Sequence, residues 1–183
     1  MSQYYYLMAQ LPSIDFGSVP PFKYEEFKEL AGRFISKKDG QILSSLSLEP
    51  SRREEKVASS FLCKWYNFER TLRLALRELR ANALKWDDVD VSYEEHAQVL
   101  SSLYASSIAS QAFAMEDPLQ AELFLDKKRF EFLNNIKSAD YFSSDSLFAY
   151  AIMLLIIIRE SNFSKEVGEA EYKRLYSEIL QQQ

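Results

Sequence analysis

Residues 51–84 read SRREEKVASSFLCKWYNFERTLRLALRELRANAL, a stretch with no Gly and no Pro. Ser51 stands as an N-cap, and Glu54 three residues on completes a capping box. Phe61, Trp65, Phe68, Leu72, Ala75, Leu76, Leu79 and Ala83 fall on one face when turned by about 100° per residue. The pattern predicts one continuous helix from about Ser51 to Leu84, roughly 50 Å long at the usual rise per residue.

The same scarcity extends through the chain. Its 183 residues hold 4 Gly and 5 Pro, where average usage gives roughly 20. An all-β domain needs turn residues far more often. Seven of these nine breakers lie at or before Pro50. The expected fold is therefore all-α: an elongated bundle of about six to seven helices around the long central one. The chain reads as a single domain, 1–183, with an N-terminal arm and short helices over 1–50 and a long-helix body over 51–183.

Outward from the centre, residues 3–11, QYYYLMAQL, suggest a short extended segment or an apolar arm packed on the body. Ser13–Pro21 is a loop, Phe22–Ser36 a helix, Lys37–Gly40 a turn and Gln41–Leu48 a short helix. Trp86–Val91 is an acidic loop. Ser92, with Glu95, caps a helix running to about Met115, rich in Ala105, Ser106, Ser107, Ala109, Ser110 and Ala112, which allow close helix approach. Asp117-Pro118 restarts a helix that reaches about Lys137, with an Asp N-cap and Pro at the first position. Asp145 or Ser144 caps a helix through Arg159, and Ser164 caps a last one over about Lys165–Leu180. Leu147–Ile158, LFAYAIMLLIII, is apolar all round, so it is buried on every side or lies partly at an interface with another chain. Its length falls short of the roughly 20 residues a spanning helix needs.

Composition narrows the function classes. Aromatics make up 14% of the chain, which argues for a folded body. The net charge of −5 and the pI near 5.1 discourage a general nucleic-acid binder. A single Cys63 cannot form an internal disulfide, and the opening MSQYYYLMAQ lacks the basic and apolar regions of a secretory signal. A cytoplasmic setting is expected. The one imidazole, His96, follows Glu95 directly, and adjacent helical residues do not converge on a metal. It reads as a solvated or capping histidine. Neither G-x-S-x-G, G-x-x-x-x-G-K-[ST] nor G-x-G-x-x-G occurs, so nucleotide hydrolysis is not expected. Glu122 and Asp126 sit at i, i+4 beside Lys127, Lys128 and Arg129. They could serve acid–base chemistry, but surface ion pairing is the reading that fits the nearby cations.

The central stretch carries the most informative charges. Ser51–Ala83 holds eight basic and four acidic residues, for a segment charge of +4, leaving −9 elsewhere. Arg70, Arg73, Arg77 and Arg80 repeat at i, i+3, i+7, i+10, a stripe within about 80° of arc beside the apolar face. Such a stripe is a solvated helix edge, or pairs internally with acids on neighbouring helices, or is a docking surface for an acidic partner helix, for which Arg is well shaped. Nucleic acid comes third, since one stripe on an acidic protein gives little counterion-release affinity.

These residues also carry a resemblance. Tyr4-Tyr5-Tyr6-Leu7 with Leu11-Pro12, Asn67-Phe68-Glu69-Arg70, Leu72-Arg73-Leu74-Ala75-Leu76, Asp117-Pro118-Leu119, Glu122, Leu125-Asp126, Arg129-Phe130 and Tyr141-Phe142 resemble an uncharacterised bacterial family. That family is encoded beside the subunits of V-type (A/V-type) rotary ATPases. It is distantly similar to their rotor connector, the component designated C in archaeal-type enzymes and d in vacuolar ones. The resemblance implies an all-helical, funnel-like connector on the cytoplasmic face of the membrane rotor ring. Its partners would be the central stalk and that ring, in a proton- or sodium-transporting complex. It implies a non-catalytic structural part with no cofactor, no metal, no small-molecule substrate, no nucleic acid and no membrane span. The full-length archaeal-type connector is longer and built from repeated helical units, so the chain would be a reduced equivalent, a partial one or an accessory factor. The other reading of the residues is a stand-alone helical adaptor or regulator unrelated to the ATPase.

Overall fold

The computed structural model describes residues 3–50, 59–86, 92–163, 168 and 171–177. Among them the fold is all-helical and bundle-like. The helices are α1 (Gln3–Gln10), α2 (Tyr24–Gly32), α3 (Lys37–Ser45), α4 (Ser60–Leu84), α5 (Tyr93–Ser101), α6 (Leu103–Phe113), α7 (Pro118–Ile136) and α8 (Ser144–Ser161), and 171–177 is helical as well. This exceeds the six to seven expected because two segments read as continuous or extended are divided or helical.

The first difference is α1. Residues 3–10 form a helix rather than a short extended segment, and they pack on the body as the other reading had it. Leu7, Met8 and Leu11 are buried, and the i, i+1, i+4 spacing puts them on one helical side. The tyrosines favour strands intrinsically, and burial of that side overrides the preference. Lys37–Gly40 is likewise not a turn but the first turn of α3, capped by Ser36, whose Oγ accepts from Asp39 N at 3.1 Å.

The central helix is shorter at its start than expected. Ser59 has extended backbone (φ −108°, ψ 128°), and its Oγ accepts from Leu62 N at 3.3 Å. It is therefore the N-cap of α4, whose 25 residues span about 38 Å. The Ser51–Glu54 capping box lies outside the described residues, as do 87–91 of the acidic loop and Ser164. The expected apolar face is buried from Phe61 to Leu76, but Ala83 is exposed. At that end Lys85 adopts φ 53°, and Trp86 N bonds back to Ala81 O at 3.0 Å. This is the six-to-one closure of a helix end that usually uses Gly.

Ser92 and Glu95 form the expected capping box. The helix they start does not run to Met115. Ser102 leaves helical geometry (φ −110°, ψ 80°), and its Oγ accepts from Ala105 N, so a competing side-chain cap splits the segment into α5 and α6. The small residues then act as expected. Ala105, Ala109 and Ala112 are buried, and α6 packs more extensively on α4 than on any other helix. Asp117 Oδ1 accepts from Leu119 N at 2.9 Å with Pro118 at the first position of α7. The cap of α8 is Ser143, one residue before the expected pair, with Oγ accepting from Ser146 N.

Helix α8 explains the apolar run. It packs against α2, α3, α4 and α7, and Leu147–Leu154 with Ile156 and Ile157 are buried. A helix with no polar side needs neighbours all around it, and this bundle supplies them. No helix of the described residues is long and apolar enough to cross a membrane.

Candidate functional site: an arginine-lined cleft over a buried charge network

Helix periodicity brings the site together. On α4, Glu69, Arg73, Arg77 and Arg80 follow at four, four and three residues, one side of the helix. On α7, Glu122, Asp126 and Arg129 keep the same rhythm over two turns. Arg159 lies in the last turn of α8, where a cation suits the helix dipole.

At the base, Glu69 and Asp126 are both 0% exposed and Arg129 is 4% exposed. Arg129 Nε donates to Glu69 Oε2 at 2.8 Å and Nη2 to Oε1 at 3.0 Å, while Nη1 donates to Asp126 Oδ1 at 2.9 Å. Arg73 Nε donates to Glu69 Oε1 at 2.7 Å, and its Nη2 to the Leu48 carbonyl at 3.2 Å. Arg159 reaches both oxygens of Asp126, Nε to Oδ2 at 3.1 Å and Nη2 to Oδ1. Two buried carboxylates are thus shared among three guanidiniums from three helices. Buried charges persist only when paired and hydrogen-bonded in this way.

Above the network opens a cleft of about 640 Å³, lined by Arg73, Arg77, Arg80, Arg129 and Arg159 together with Glu49, Glu122 and Trp86. Arg129 Nη1 is 4.0 Å from Glu122 Oε2. Burial holds the Arg159 guanidinium below its ordinary value; nearby Glu122 and Glu69 oppose that shift and Arg73 adds to it. The cleft is therefore a partly desolvated collection of cations, chemistry suited to holding an anion.

The expected arginine stripe divides in three dimensions. Arg70 is 8% exposed, with Nη1 on Asn67 Oδ1 at 2.8 Å, and does not line the cleft. Arg73 is half-exposed and tied into the network, and Arg77 and Arg80 form the cleft wall. Arg70 turns inward because the i, i+3 step carries it toward the buried side of α4. The surface ion pairing expected of Glu122 and Asp126 holds for Glu122, which lies at the surface beside Arg129, and is corrected for Asp126. Asp126 is fully buried, and its partners are Arg129 and Arg159 rather than Lys127 or Lys128. Lys128 pairs with Glu131 instead.

His96 is exposed as expected, with Nδ1 3.1 Å from Glu78 Oε1. Among the described residues no three His, Cys, Asp or Glu side chains gather as a metal site. Sequence reasoning missed Arg129, Arg159 and Trp86 as lining residues. The available signal was Arg159 closing an otherwise apolar run, and Glu69 four residues before Arg73.

The sequence profile of a family described as protein of unknown function (DUF2764) matches residues 43–182. The chain belongs to this family. The matched span contains all of α4 to α8, so every residue lining the cleft belongs to the DUF2764 region. No curated protein and no solved structure matches the chain.

Proposed function

We propose that this DUF2764 protein is a non-catalytic structural component of a V/A-type rotary ATPase. It couples the central stalk to the membrane rotor ring, in the manner of the archaeal-type and vacuolar connectors, and sits peripheral to the cytoplasmic face of the membrane. The observation that supports this most is mechanical. Helix α4 is tied to α7 and α8 by the Glu69–Arg129–Asp126–Arg159 network on one side. On another it packs through Phe68, stacked on Phe132 of α7 at 3.9 Å and near Tyr104 of α6 at 5.9 Å. Charged cross-links and close-packed rings resist shear between helices, as a part that carries load requires. The resemblance in Asn67–Leu76 and Asp117–Phe130 points to the rotary complex.

Purification of the native complex in gentle detergent tests the proposal. Rotor-ring and central-stalk proteins are expected to copurify with a tagged chain. Their absence, with the tagged chain soluble and folded, would sink it. A second reading, a helical adaptor outside any ATPase, is favoured by one observation. Tyr93, Leu100 and Leu103 are large apolar side chains left well exposed on α5 and the start of α6, a contact edge for another protein. Recovery of an unrelated soluble partner would favour that reading.

A further inference from the structure

We propose that the cleft between α4, α7 and α8 binds a nucleotide, its phosphates on the guanidiniums and its base against Trp86. The inference is separate from the coupling role and requires no reaction.

Among the described residues every cation lining the cleft is an arginine. A guanidinium presents its N–H groups in a planar fork that matches phosphate oxygens two at a time. Those at the base also retain donors. Arg159 uses Nε and Nη2 on Asp126, and Arg73 uses Nε on Glu69 and Nη2 on Leu48. Among the described residues, Nη1 and the second Nη2 hydrogen of each are left for a ligand. Arg80 is exposed at the wall, and the network below holds Arg129 and Arg159 in place before any ligand arrives.

Shape and charge favour a small phosphorylated molecule over an acidic helix. With Arg70 buried, the row along α4 presents only Arg73, Arg77 and Arg80, about 10 Å of helix. Arg129 and Arg159 come instead from α7 and α8, so the cations surround a pocket rather than line a track. The volume of about 640 Å³ lies within the roughly 300–1,000 Å³ of small-molecule sites. The walls also carry Glu49 and Glu122. These carboxylates repel any polyanion, phosphates included, but they accept hydrogen bonds from ribose hydroxyls and base amino groups, which a purely acidic peptide side chain does not bring. A nucleotide offers both kinds of group.

Trp86 completes the match. It is 64% exposed, unusual for so large a ring, and it lines the cleft. Its position follows from Lys85, the only non-Gly residue with positive φ among those described. A left-handed conformation at a non-Gly residue is strained, and here it turns the chain so that the indole stands beside the arginines. Sequence motifs for phosphate rely on Gly-rich backbone loops. A site built from side chains on three helices leaves no such trace.

The two tryptophans make a direct test. Trp65 is fully buried and Trp86 exposed, so quenching by ATP reports on the cleft. Titration of ATP into the full chain is expected to give saturable quenching below millimolar concentration. Arg80→Glu, which circular dichroism should show to be folded, weakens binding about tenfold or more; Arg80→Gln gives a milder loss and serves if the first variant misfolds. Trp86→Ala is expected to lose the quenching and to weaken binding about fivefold or more by calorimetry, since the stacking surface for the base goes. Inorganic triphosphate competes with ATP, and adenosine alone binds far more weakly. No heat or quenching at millimolar ATP would overturn the proposal. So would unchanged affinity in folded Arg80→Glu or Arg80→Gln, or a poly-glutamate peptide that binds the cleft more tightly than ATP.

Discussion

Arg129 and Glu69, sixty residues apart in the chain, face each other fork to fork in the interior, with contacts of 2.8 and 3.0 Å. Glu69 is 0% exposed and Arg129 4%, the small exposed part of Arg129 forming the floor of the cleft. The pair fixes the azimuth of α4 against α7, and Asp126 extends the constraint to Arg159 and α8. Replacing Arg129 by Met leaves Glu69 and Asp126 each with one fewer cation in a desolvated setting. The expected loss is about 3–5 kcal/mol, read as a lower urea midpoint. Adding Glu69→Met is expected to restore part of it, because the remaining uncompensated charge goes. A double mutant no more stable than the single would show that the carboxylate is solvated after all.

A second long-range tie sits at the helix starts. Ser59 Oγ caps α4 through Leu62 N and also donates to Asp145 Oδ1 of α8 at 2.9 Å. Ser59→Ala removes the cap and that tie together. A cap alone is worth about 1 kcal/mol, so the expected cost is roughly 1–2 kcal/mol. Ser59→Asp keeps an acceptor for Leu62 N but sets a second carboxylate against Asp145, and should recover little. Thermal melts of the two variants distinguish a cap from a mere surface serine.

The contrast between Ser59 and Ser51 shows what could be read from the chain and what could not. Local signals located α5 at Ser92, α7 at Asp117 and the buried α8, since those caps and that apolar run depend on neighbours in sequence. At the start of α4, Ser59 also bonds to Asp145, 86 residues away, a tie that no local pattern shows, and at Ser102 a side-chain cap divides a segment whose periodicity reads as one helix. The site was half legible for the same reason. Helical spacing placed Arg73, Arg77 and Arg80 on one side of α4. It could not say that Glu69, one turn earlier, would draw Arg129 inward, or that Arg70 would be buried. The identity of a charge is written in the sequence, but its burial is set by packing.

Alkaline pH probes a different part of the fold. Tyr150 Oη donates to the Pro12 carbonyl at 3.0 Å, and Tyr24 Oη to the Leu43 carbonyl at 2.8 Å. Burial raises both phenols above their ordinary value, with Tyr141 adding at Tyr150, and Tyr66 and Glu25 at Tyr24. A folded-state pKa above the unfolded one means the folded chain holds its proton longer. The stability contributed is complete below about pH 10, the unfolded value, and is lost as pH rises toward the higher folded value. Tyr150→Phe should cost about 1 kcal/mol at neutral pH through the lost hydrogen bond. It should also flatten the decline in stability above about pH 10. Denaturant midpoints measured against pH test both signs, and an unchanged alkaline slope would count against Tyr150 as a contributor.

Arg73 and Arg80 lie two turns apart on α4 and should behave oppositely. Arg73 bonds to buried Glu69 and to the Leu48 carbonyl, so Arg73→Glu removes two contacts and sets a second carboxylate beside the first. Its side chain is 38% exposed, and solvent screens part of the effect; a loss of roughly 1–3 kcal/mol is expected. Arg80 is exposed at the cleft wall, and Arg80→Glu should change stability by no more than about 0.5 kcal/mol. Both reversals carry the same change in net charge, so any difference between them is local. Equal destabilisation would mean that Arg80 is also structural and that the cleft wall belongs to the core. Equal tolerance would mean that Glu69 is satisfied by Arg129 alone. The expected split separates the helix edge into an arginine that the fold needs and one that it does not.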